Sequence, residues 1–135
     1  LRALSSTRPL EGAEQALYFQ WLEYVRIGGE PARPHFFAVP NGGSRHRIEA
    51  ARMKAQGVTP GVADIFGAVP AGDYHGLVIE MKRLGEKATE LQLEQLDHRR
   101  RMGYRAVVVQ GFDEARRITV QYLAHGWVVV DRWVG

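Results

Sequence analysis

Leu77-Val78-Ile79-Glu80-Met81-Lys82 is aliphatic from its first residue until two opposite charges stand two positions apart. A short apolar run of this kind reads as a buried strand. Alternate side chains of a strand share a face, so Glu80 and Lys82 point one way and Ile79 and Met81 the other. Packing asks for neither charge, and taken alone the two read as an ion pair on an edge strand. The neighbouring sequence adds a second acid. About fifteen residues upstream, Pro60-Gly61-Val62-Ala63-Asp64-Ile65-Phe66 turns at Pro-Gly and enters an apolar segment at Asp64. The residues between, Val69-Pro70-Ala71-Gly72-Asp73-Tyr74-His75-Gly76, are rich in turn formers and have the length of a hairpin loop. Pairing the two segments sets strands about 4.8 Å apart and brings Asp64 beside Glu80. Two carboxylates about 5 Å apart repel by roughly 3 kcal/mol at an effective dielectric near 20, a large share of a small domain's stability. Lys82 offsets part of this. A divalent cation on the carboxylate oxygens would offset the rest, and oxygen-only ligands favour Mg²⁺ or Mn²⁺ over zinc.

Asp64, Glu80-Met81-Lys82 and Gln92 together resemble the Asp, Glu-x-Lys and Gln of the PD-(D/E)XK nucleases, and specifically of the VRR-NUC (virus-type replication-repair nuclease) domain. The resemblance runs from Glu14 to Leu123. It takes in Pro40-Asn41-Gly42-Gly43, Gly57-Val58-Thr59-Pro60-Gly61-Val62-Ala63-Asp64, and Gly103-Tyr104 with the Val-rich strand after it. Ala63 departs from the pattern, which commonly has Pro there; the acid stays in place on a less rigid turn.

Bulk properties are those of one domain. At 135 residues the chain can bury about two thirds of its unfolded surface. Its 45% hydrophobic and 24% charged content is ordinary for a soluble globular protein. No apolar run approaches the roughly 20 residues of a membrane span, so no membrane partner is expected. No signal-peptide pattern is read at the N-terminus. Without Cys, disulfides and thiolate zinc sites are excluded. That is compatible with a cytoplasmic setting, in a bacterium or a phage-infected host cell. A net charge of +3 and a pI near 9.5 suit a polyanionic partner, and the excess of Arg over Lys suits bidentate phosphate binding.

Residues 1–10 read as a flexible lead-in and 11–135 as the single nuclease-like domain. A helix is expected from Glu11 to Ile27, ending before Gly28-Gly29, with Glu14 on the same stripe as Leu17, Tyr18, Trp21, Leu22 and Val25. Glu14 alone reads as a first-turn acid facing the helix dipole, with Glu11 as its neighbour and competitor. His35-Phe36-Phe37-Ala38-Val39 is expected as a strand bounded by prolines, followed by a turn at Asn41 that is either a plain turn or a contact to DNA. A helix capped by Ser44 and running through Gln56 carries Arg45, His46, Arg47, Arg52 and Lys54 against Glu49, over an inner face of Ile48, Ala51 and Ala55. Such a basic run is a solvated face or a phosphate-binding one; in the second case each phosphate neutralised contributes about −0.9 to the slope of log affinity against log salt. A loop over Arg83–Ala88 leads to a helix from Thr89 to about Met102. In that helix Thr89 and Gln92 have capping-box spacing, and His98-Arg99-Arg100-Arg101 meets either DNA or the negative end of the helix dipole. Arg105–Gln110 is expected as a strand reached by a βαβ crossover. A helix capped by Asp113 runs to about Ala124. Trp127–Val134 is expected as a last strand packing on the sheet edge or on a second subunit, which makes a homodimer plausible. The five histidines lack metal-ligand spacing.

The fold expected is therefore α/β, a restriction-endonuclease-like core with a mixed central β-sheet flanked by helices. What the resemblance implies is Mg²⁺- or Mn²⁺-dependent hydrolysis of DNA phosphodiesters, structure-selective and acting on branched or four-way junction DNA, in DNA repair or in a phage. It assigns Asp64, Glu80, Lys82 and Gln92 to catalysis, with Gln95 one turn on as the alternate to Gln92. Glu14, Asp64, Glu80 and the Met81 carbonyl would hold metal. Asn41, Arg45, Arg47, Arg52, Lys54, Arg99 and Arg100 would touch the nucleic acid. A DNA-binding module without catalysis, and a nuclease for RNA or simple DNA ends, are the alternatives.

Overall fold

The computed structural model describes residues 12–40 and 47–135. Glu11, Asn41, Ser44, Arg45, His46 and the lead-in lie outside them, as does the Arg47 side chain. Chain order is α1 (Ala13–Leu22), β1 (Val25–Ile27), β2 (Glu30–Pro31), a 3₁₀ turn (Arg33–His35), β3 (Phe36–Ala38), α2 (Arg47–Ala55), β4 (Ile65–Gly67), β5 (Leu77–Lys82), α3 (Glu90–Arg101), β6 (Arg105–Gln110), α4 (Phe112–Leu123) and β7 (Val129–Asp131).

The central sheet has the order β3-β4-β5-β6 and is mixed. The pairs β3/β4 and β4/β5 are antiparallel, and β5/β6 is parallel through the α3 crossover. One face of it, built from Phe36, Ile65, Leu77, Ile79, Val107 and Val109, packs on Tyr18, Trp21 and Leu22 of α1 and on Phe112, Ala115, Tyr122 and Leu123 of α4. The other face, through Val78 and Ala106, meets Leu96 of α3 and Ala63. This is the alternation read from Leu77–Lys82, with Glu80 and Lys82 on the α3 side. Gly67 is required where it stands, because a Cβ there would lie 2.5 Å from the Phe36 ring.

Four expectations change. The first helix ends at Leu22 instead of Ile27, and Val25–Ile27 forms a strand paired with β2 and β7. Val25 fits the buried side of either period; Gly28 and Gly29, at φ 55° and 85°, decide it by making the two-residue hairpin turn that joins β1 to β2. The terminal strand shortens to Val129–Asp131 and joins β1 in a separate three-stranded sheet, away from the central one. It is stapled there by Asp131, which accepts from Trp21 Nε1 at 3.1 Å and from Arg116 Nε at 3.0 Å. The last helix begins at Phe112 with Gly111 as its N-cap, two residues before the expected cap Asp113, which lies in the first turn. In α2 the intended inner face is outside: Ile48 is 68% exposed, and Ala51 and Ala55 are exposed too.

Candidate active site

Register decides the site. Ile65 pairs with Ile79 and Phe66 with Val78, so the next antiparallel pair sets Asp64 opposite Glu80. Asp64 stands one residue before β4, where its Oδ2 accepts the Met81 N–H at 2.9 Å and its own carbonyl accepts from Val39 N at 2.7 Å. The carboxylate is thereby locked at the end of β5. Glu80 is 2% exposed, and its Oε1 has no hydrogen-bond partner among the described residues. Its Oε2 lies 3.6 Å from Lys82 Nζ, itself largely buried. Burial first, and then the Asp64 carboxylate, which repels the charged form and can accept a hydrogen bond from the protonated one, push the Glu80 carboxyl up to about 8 against the pull of Lys82. The Oε1 oxygen is orphaned when both acids are ionised.

An orphaned buried carboxylate oxygen demands an explanation. Here it faces a second acid and only one ammonium, and all the available donors are hard oxygens. That set fits a hard divalent cation, since Mg²⁺ is held by one or two carboxylates and completes its shell with water and phosphate oxygens.

A folded carboxyl with a raised pKa holds its proton where the unfolded chain has lost it, so it stabilises at low pH and that stability is lost as pH rises through the folded value. In chelator, the melting temperature should therefore fall as pH climbs from about 4.5 to about 8. The slope should be at most about 1.4 kcal/mol per pH unit. Glu80→Gln should flatten it, and added Mn²⁺ should stabilise more as pH rises, because the ion needs the carboxylates ionised. A pH-independent melting temperature would contradict this electrostatic reading.

A solved structure named "VRR_NUC domain protein" matches this chain with a TM-score of 0.78 and 30% identity, over 93% of this chain and 93% of that one. The chain belongs to the VRR-NUC family. No family model and no curated protein matches it. Membership brings a nuclease fold, and no helix among the described residues is long and apolar enough to cross a membrane.

Within this VRR-NUC domain, Asp64, Glu80 and Lys82 come together, and the Met81 backbone is tied to Asp64. Glu14 does not join them. No group of three His, Cys, Asp or Glu side chains suited to one metal ion occurs among the described residues. Glu14 comes from α1, on the opposite face, and its Oε1 accepts the Phe112 N–H at 2.7 Å. It thus caps α4, whose N-cap Gly111 has no side chain to do so. Gly111, at φ 88°, admits this approach because a Cβ would stand 2.9 Å from Glu14 Oε1, and its N–H donates to the Lys82 carbonyl at 3.0 Å. Glu14→Ala should cost about 1–2 kcal/mol in urea unfolding through loss of this charged cap.

Gln92 closes its capping box, with Oε1 accepting from Thr89 N at 2.9 Å and its own N–H donating to Thr89 Oγ1 at 3.2 Å. Its amide nitrogen is the part left for a ligand. Arg100 donates to the Ala106 carbonyl through both Nε and a terminal nitrogen, at 3.1 and 2.8 Å. Arg101 pairs with Asp97. Arg99 has no such partner among the described residues and lines a cavity of about 320 Å³ with Gln95. Arg52 and Lys54 are exposed on α2. The stacked pair Phe37 and Phe66, 5.4 Å apart and 13° from parallel, was not singled out by the sequence. It is a cross-strand pair set by the β3/β4 register, and its only local signal is an aromatic residue on each strand.

Proposed function

We propose that this VRR-NUC protein is a Mg²⁺- or Mn²⁺-dependent endonuclease that hydrolyses DNA phosphodiesters in a structure-selective way. The observation that carries this reading is the buried Glu80 carboxylate, one oxygen without a hydrogen-bond partner among the described residues, facing Asp64 with the Lys82 ammonium alongside. Asp64, Glu80 and the Met81 carbonyl would hold the ion. When bound, such an ion polarises a phosphate and lowers the pKa of a water.

The protein's own residues do the remaining work. Lys82 places a positive charge at the same spot as the two acids, where it orients the attacking water and offsets the negative charge that grows on the phosphate. Gln92, through its amide nitrogen, positions a phosphate oxygen. Glu14 acts from behind, holding the Gly111 turn that grips the Lys82 carbonyl. Arg52, Lys54 and Arg99 contact the DNA backbone and fix its path without reading sequence.

The test is incubation of the protein with end-labelled branched, flapped and linear DNA and with RNA of the same sequence. Cleavage of branched DNA in Mn²⁺, none in chelator and none of RNA is the expected pattern. Binding of DNA without cleavage under any metal would overturn the reading.

A further inference from the structure

The cavity beside Arg99 lies on the same face of the central sheet as the two acids. Its lining includes Phe66 and Val78 of the sheet, Thr59 and Ala63 from the segment before β4, and Gln95 and Arg99 of α3. α3, which carries Gln95 and Arg99, packs on β5 and β6. At about 320 Å³ the cavity is at the small end of ligand pockets, which run about 300–1,000 Å³. Ala63 adjoins Asp64, and Val78 is two residues from Glu80, about 7 Å along the strand. One nucleotide can span that distance with its phosphate at the acids and its base in the cavity.

Three features suit a base in particular. The lining includes the Phe66 ring, and Phe37, stacked on it at 13° from parallel, is 49% exposed, so a second aromatic ring stands beside the cavity, open to a base. Neither Gln95 nor Arg99 makes a side-chain hydrogen bond or ion pair with another described residue, whereas the Thr59 hydroxyl is engaged by the Gly57 carbonyl at 3.1 Å. A Gln amide offers both a donor and an acceptor to a base edge, and a guanidinium stacks on a base or meets its phosphate.

We propose that this cavity receives a single nucleobase, unstacked from the strand being cut, with Phe66 and Phe37 stacking, Gln95 bonding its edge and Arg99 holding the backbone beside it. The inference rests on the nuclease reading and narrows it: the substrate has an unpaired or easily unpaired nucleotide next to the scissile phosphate, which a junction, flap or single strand supplies and an intact duplex does not.

The test replaces each nucleotide flanking the cut, one at a time, by a tetrahydrofuran abasic residue. Cleavage in Mn²⁺ is then measured, together with binding by fluorescence anisotropy to an Asp64→Asn protein. Base–aromatic stacking predicts a roughly tenfold loss of kcat/KM and of affinity at one flanking position. Phe37→Ala and Gln95→Ala, both outside the core, should lose a similar factor on intact DNA and nothing further on the abasic strand. Thermal melts of both variants confirm folding. Cleavage that is indifferent to the abasic residue at every position overturns the pocket and leaves the nuclease reading standing. Base-dependent binding with no cleavage of any DNA keeps the pocket and overturns the nuclease.

Discussion

Asp64→Asn is expected to lower DNA cleavage by more than about 100-fold while leaving the fold intact and the metal-free protein more stable above neutral pH. The activity loss follows from scale, since removing even an outer partner of a metal ligand typically costs about 10–100-fold. The fold survives because the asparagine carbonyl still accepts the Met81 N–H that Asp64 takes at 2.9 Å. The stability gain follows from charge. Burial first, and then Asp64, hold the Glu80 carboxyl up near 8, so removing Asp64 relieves a repulsion that opposes folding whenever both acids are ionised. Activity and stability should thus move in opposite directions, as they do where a site is strained for function. Gel assays of cleavage, calorimetric titration with Mn²⁺ and melting in chelator at pH 8 measure all three quantities. Wild-type turnover in this variant would remove Asp64 from the site.

Lys82→Met should produce a comparable loss of cleavage for a different reason. Its ammonium, 3.6 Å from Glu80 Oε2, is the cation that draws the Glu80 carboxyl down. Without it that carboxyl rises further, and the acidic limb of the pH–rate profile should move to higher pH. Removing one partner of a buried ion pair costs about 3–5 kcal/mol when the other charge is stranded. The cost should be smaller here, because Glu80 can take up a proton. Lys82→Arg separates the two roles. It keeps a positive charge beside Glu80 and should restore stability, while its planar guanidinium replaces a compact point charge and should leave cleavage low. Recovery of full activity by Arg would reduce Lys82 to an electrostatic spacer.

Much of this site was legible from local pattern. Alternation along Leu77–Lys82 fixed the shared face of Glu80 and Lys82, and the Pro-Gly turn with a hairpin-length loop placed Asp64 across from Glu80, as the Ile65–Ile79 register has it. The Thr89–Gln92 spacing announced a capping box, and the box is formed. Other features were out of reach. Val25 satisfied a helical and a strand period at once, and only the Gly28–Gly29 turn, with the pairing of its strand to β2 and β7, distinguishes them. Arg100 looked like any other member of a basic cluster until β6 brought the Ala106 carbonyl to it.

By itself, then, the amino-acid order determined the strand faces, the turns and which acids lie opposite one another, because these depend on periods of two residues and on backbone preferences within a few positions. Tertiary structure alone decided that Glu14 caps α4 across 98 residues of sequence, that Glu80 has an oxygen without a hydrogen-bond partner among the described residues, and that a cavity opens beside the acids. Those outcomes depend on which helix lies over which strands, a matter settled by packing between distant segments that no local period records.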